Sequence, residues 1–66
     1  MEPKYPEIEV QLTGQNGNAF NLMGIVSKAL RRNDVPQKEQ DKFLEEATAS
    51  DYDHLLRTCM KWVNVN

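Results

Sequence analysis

The chain is poor in the residues from which reactive centres are usually built. It has one histidine and one cysteine in 66 residues. A single cysteine excludes an intrachain disulfide, and small secreted domains usually need such staples. One histidine and one cysteine also fall short of the three or four ligands of a typical metal site. No apolar run reaches the roughly 18 residues of a transmembrane helix. The opening Met1-Glu2-Pro3-Lys4-Tyr5-Pro6 lacks the apolar stretch of a signal peptide. These absences predict a cytoplasmic protein with no membrane partner. Basic charge is scarce as well: eight Lys and Arg against ten Asp and Glu, a net −2. That balance excludes a strongly basic nucleic-acid binder, though not a local patch of either sign.

What remains is ordinary globular material, 39% hydrophobic and 27% charged. The length allows a single domain over residues 1–66. A domain this small buries only about 60% of its unfolded surface, enough for one core but not for a deep cleft within it. The expectation is a protein that is not an enzyme and holds no cofactor.

Glu7 to Thr13 alternates polar and apolar residues, with Ile8, Val10 and Leu12 on one face. That is the period of a half-buried strand. Gly14-Gln15-Asn16-Gly17-Asn18 is turn chemistry, its glycines suited to positive φ. Ala19 to Arg32 carries an apolar stripe at three- and four-residue spacing, with Asn18 as N-cap and Lys28, Arg31 and Arg32 at its C-terminal end. Gly24 within it marks a weak spot or a close approach. Asp34 with Gln37 has the form of a capping box, Pro36 lies in the first turn, and a second helix runs to about Thr48. Ser50 with Asp53 is another such box, opening a helix from Asp51 to about Trp62. Val63-Asn64-Val65 is the only further strand candidate, pairing with residues 8–13 within the chain or across a dimer.

The predicted fold is therefore α+β, an N-terminal strand packed with three helices. Its expected core is Ile8, Val10, Leu12, Phe20, Leu22, Met23, Val26, Leu30, Phe43, Leu44, Leu55, Leu56, Cys59, Met60 and Val63. Trp62 is read as lying off the main stripe, covering the end of the core.

Chemical motifs are thin. His54 and Cys59 lie about 140° apart on a helix and do not face each other. Ser50, Asp51 and His54 are close in sequence, yet Ser50 reads as a cap, Asp51 as a dipole partner, and no oxyanion-binding elbow accompanies them. Gly14 to Gly17 opens onto a helix but lacks the Lys-Ser or Lys-Thr of a phosphate loop. Two helices around residues 35–62 suggest a helix-turn-helix, but the second starts Asp51-Tyr52-Asp53, which repels a phosphate backbone.

The most informative pattern is charge segregation. Asp34, Glu39, Asp41, Glu45, Glu46, Asp51 and Asp53 face only Lys38 and Lys42 over residues 34–53, leaving −5 there and +3 on the rest. Such a segment is either a solvated helix face or an acidic surface that docks on a basic groove. In the second reading the partner-binding residues are Glu39, Asp41, Glu45, Glu46, Asp51 and Asp53, with Tyr52 as an aromatic anchor.

The segments Glu9-Val10-Gln11-Leu12-Thr13-Gly14, Gly17-Asn18-Ala19-Phe20 and Asp51-Tyr52-Asp53-His54-Leu55-Leu56 give the chain a pattern that resembles small accessory proteins of phages and mobile elements. Anti-CRISPR inhibitors belong to that group. The resemblance implies a host-cell protein that binds a nucleic-acid-handling complex, such as a CRISPR effector, and stops it engaging DNA, in some members by mimicking nucleic-acid charge. Two alternatives stand beside it. One is a small DNA-binding regulator using Lys28, Arg31 and Arg32. The other is a homo-oligomeric module of a phage particle joined through its exposed strand.

Overall fold

The structure, a computed structural model, describes residues 2–14 and 16–66. Met1 of the extended lead-in and Gln15 of the Gly14 to Asn18 turn lie outside the described residues. The elements run β1 (Tyr5–Val10), α1 (Ala19–Arg32), α2 (Gln37–Ala47), α3 (Tyr52–Trp62) and β2 (Val63–Val65). The fold is a small α+β arrangement in which β1 and β2 form a parallel pair within the chain. Parallel pairing needs a crossover, and the three helices supply it.

β1 starts two residues before the alternation predicted and ends before Gln11. Its register sets Tyr5 against Val63, then Glu9 against Asn64, so the ladder is irregular between Tyr5 and Glu9. Pro6, with no N–H to donate, lies in that irregularity. Four steps of β1 there match one step of β2, and an odd number of extra residues reverses which side chains face inward. Tyr5 therefore packs on the same core as Ile8 and Val10 despite its odd number. Beyond Val10 the pairing ends with the Leu12 and Thr13 amides both donating to the Asn66 carbonyl (3.0 and 3.3 Å). Leu12 is consequently only half-buried.

α1 starts where Asn18 directs: its side chain accepts the Phe20 amide at 2.9 Å. It ends in a Schellman turn. Asp34 sits at φ 60°, its amide donates to the Arg31 carbonyl (3.1 Å), and the Val35 amide donates to the Leu30 carbonyl (3.1 Å). Val35 and Leu30 are both buried, the apolar contact that accompanies this turn. Asp34 thus closes α1 and does not cap α2. The position preceding α2 is Pro36, which has no side-chain acceptor. The expected box at Ser50 is also displaced by one residue, because Asp51 caps α3 by accepting the His54 amide at 3.0 Å.

One core cluster joins β1, β2 and all three helices, with Val26, Leu30, Phe43, Cys59 and Val63 fully buried. Leu22 is buried apart from that cluster, and besides the half-buried Leu12 four expected core residues are not buried. Phe20 is 80% exposed, Met60 54% and Leu44 37%, and Leu56 is half-buried. The reason is angular. On α3 the buried row is Leu55, Cys59 and Trp62 at i, i+4 and i+7, so Trp62 is on the stripe, while Leu56 and Met60 are turned away by about 100° and 140°. On α2 the buried row is Gln40, Phe43 and Ala47, which leaves Leu44 outward. Gln40 is acceptable there because its amide donates to the Val35 carbonyl at 2.9 Å. Thr58 is buried with its hydroxyl donating to the His54 carbonyl at 2.8 Å. Gly24 is not a close approach, since a Cβ there would meet nothing within 4 Å.

Candidate functional site

The acidic residues singled out in the sequence do not form one free surface. Glu39 turns toward β1, where it pairs with the Lys4 ammonium and accepts the Tyr5 hydroxyl at 3.4 Å. The Lys4 hydrogen bond, ahead of its charge, holds the Glu39 carboxyl below its ordinary value. The same bond raises Lys4. Glu46, two turns further along that side of α2, pairs with Lys61 at 3.6 Å. Asp53 pairs with Arg57 at 3.0 Å across one turn of α3. Asp41 accepts the Gln37 amide at 2.9 Å, and Asp51 is the α3 cap. Among the seven, only the Asp34 and Glu45 carboxylates have neither an ion pair nor a hydrogen bond among the described residues. Glu45 and Glu46 line a shallow depression with Lys42 and Ala49, whereas Asp51 and Tyr52 line a different one. Glu45 and Glu46 therefore lie on one side of the α2–α3 turn and Asp51 on another, while Asp53 lines neither depression.

The depression at Asp51 and Tyr52 is the more distinctive. It is a groove of about 250 Å³ between the first turn of α1 and the α2–α3 corner. Its floor is apolar, formed by Met23, Ala47 and Leu55, and Phe20 and Tyr52 stand at its lips. Tyr52, 46% exposed, is held by its hydroxyl, which donates to the Gly17 carbonyl across 35 residues of chain. Phe20 makes no such bond. Sequence reasoning placed Phe20 in the core. The available signal was its position about 120° around α1 from Val26, outside the apolar stripe.

The remaining candidates are structural. The His54 ring donates through Nε2 to the Glu46 carbonyl at 2.8 Å, tying α3 to the end of α2. The Asp51 carboxylate meets the His54 backbone and not its ring, so Ser50, Asp51 and His54 make no nucleophile–base–orienter chain. At the start of α1, the Asn18 amide donates to the Asn16 side chain (3.0 Å) and the Phe20 amide to Asn18 (2.9 Å). These side chains already occupy donors that an anion would use. Burial pushes the Cys59 thiol up to about 11, a value suited to packing and not to nucleophilic chemistry. Among the described residues no group of three metal-ligating side chains converges, and no helix is long and apolar enough to cross a membrane. No protein-family model, curated protein or solved structure matches the chain.

Proposed function

We propose that this protein is a non-enzymatic interaction protein, an inhibitor of the anti-CRISPR type, that docks on the basic nucleic-acid-binding surface of a partner in the host cytoplasm and blocks DNA engagement. The observation that carries the reading is the groove at the α2–α3 corner. An exposed Phe20 and a fixed Tyr52 flank an apolar floor, with Asp51 on its rim and Asp53 in the same first turn of α3. Exposed aromatics around a small apolar pocket are what protein interfaces use as anchors. The Asp51 carboxylate at that rim favours a basic counterpart and speeds its encounter. The pairing of Glu39, Glu46 and Asp53 with cations lowers the free negative charge, so the aromatic groove supplies affinity and the acidic corner supplies selection.

The test is affinity capture of the tagged protein from nuclease-treated bacterial lysate, run beside Phe20→Ala and Asp53→Lys variants. Asp51 is left intact because its loss would fray α3. Enrichment of a CRISPR effector or another protein with a basic nucleic-acid groove is expected. With the captured partner purified, Phe20→Ala should weaken binding by about 30-fold, the scale of an interface hot spot. Capture that both variants leave unchanged would remove this reading.

A further inference from the structure

The cations of this protein divide into three paired ones and five without an ion pair among the described residues, of which Lys38 and Lys42 share α2 with acidic residues. Lys4, Arg57 and Lys61 each have a carboxylate partner. Lys28, Arg31 and Arg32 have none among the described residues, and all three are exposed. They belong to α1, whose 14 residues contain no Asp or Glu. Lys28 points about 160° away from the buried Val26, so it crowns the outer face of the helix. Asn21, Gly24 and Arg31 share that face and line one shallow depression with Lys28, free of any carboxylate. A second depression on the other flank brings Lys28 and Arg32 together. Its one carboxylate, Glu9, accepts a hydrogen bond from Asn66 at 3.3 Å.

Complementing the C-terminal dipole of α1 requires about half a positive charge near the helix end. Three whole charges, one of them a full turn earlier, exceed that. They lie along a row where Gly24 adds no bulk and Asn21 adds a donor, and arginine side chains match phosphate oxygens in two-point geometry. We propose that the outer face of α1 contacts the phosphate backbone of nucleic acid without reading its sequence, one phosphate for each of Lys28, Arg31 and Arg32. This site is separate from the aromatic groove and does not depend on the function proposed above.

The experiment is fluorescence anisotropy of a labelled 20-base-pair DNA duplex titrated with the full chain at several salt concentrations. Three phosphate contacts give a log–log salt slope of about −2.7, or roughly 40-fold weaker binding between 50 and 200 mM salt. Arg31→Gln should reduce the slope by about 0.9. The triple variant K28Q/R31Q/R32Q should lose binding while keeping its helical circular dichroism. A K38Q/K42Q control on α2 should bind as the parent does. No anisotropy change at 20 mM salt, undiminished binding by the folded triple variant, or an equal loss in the α2 control would each overturn the proposal. Partner capture through the groove would stand or fall independently of these outcomes.

Discussion

The molecule has two aromatic groupings with opposite fates. At one end Trp62 is buried, stacked on Tyr5 (6.0 Å between centroids, 27° between planes) and met edge-on by Phe43 (5.7 Å, 73°). The Lys4 ammonium stands 4.4 Å over its ring and pairs with Glu39. At the other end Phe20 and Tyr52 flank an open groove, tethered only by the Tyr52 hydroxyl. The residue types are alike, and the difference is coverage. β1 and α2 both close over Trp62, while Tyr52 is tied by its hydroxyl to the Gly17 carbonyl and stays 46% exposed, and Phe20 stays 80% exposed. The same kind of apolar area contributes to folding at the first end and is left exposed at the second.

The contrast is broken most severely at Trp62. Trp62→Ala should cost about 3–5 kcal/mol, comparable to everything a core of this size supplies. The variant should be largely unfolded at 25 °C by circular dichroism, and a melting temperature within about 5 °C of the parent would show that this end is not the keystone.

The closed end also predicts how stability depends on pH. The Tyr5 phenol is raised, first by burial and then by the Glu39 charge. Cys59 is raised from 9.0 to about 11 by burial, and Lys4 is raised by Glu39. Each raised group contributes stability that is complete below its unfolded value and lost as pH climbs through its folded one. Glu39 is lowered, so its contribution is present above its ordinary 4.5 and lost as the solution is acidified through its folded value. Urea midpoints should therefore be highest near neutrality, fall above about pH 9, and fall again below about pH 4.5. In E39Q the acid fall should be shallower. A flat profile from pH 7 to 10.5 would contradict the burial of Tyr5 and Cys59.

A smaller effect is expected where α1 hands over to α2, whose first turn carries Glu39 toward Trp62. Asp34 holds a left-handed conformation that an L side chain disfavours by about 1–2 kcal/mol. Asp34→Gly should raise stability by about 1 kcal/mol, or roughly 4–8 °C in melting temperature. A decrease would mean that the Asp34 side chain holds the turn. The smallest effect belongs to the open end. Phe20→Ala should change stability by no more than about 0.5 kcal/mol, and a loss above 1.5 kcal/mol in a urea titration would place Phe20 in the fold after all.

Much of this architecture was legible in order. α1 was bounded correctly because both its signals are local: Asn18 caps its own helix two residues on, and the apolar stripe is long enough to define one face. The acidic site was legible only as a count. Nothing in the spacing of Glu39, Glu46 and Asp53 indicated that Lys4, Lys61 and Arg57 would meet them, and for Lys4 and Lys61 those meetings require the folded chain. The two capping boxes failed for a similar reason. Ser50 and Asp51 are both competent caps, and the choice fell to the residue whose carboxylate reached the third amide. Asp34 has a cap's chemistry but was taken up by the turn that buries Val35.

By itself the sequence determined the α+β class, the three helices and most of the core. Those follow from periodicity, propensity and capping, which act over a few residues. Tertiary structure alone decided that β2 pairs in parallel with β1 and that the ladder irregularity near Pro6 turns Tyr5 inward onto Trp62. Each is settled by which distant element arrives to cover a side chain, and coverage is a property of packing that local pattern does not encode.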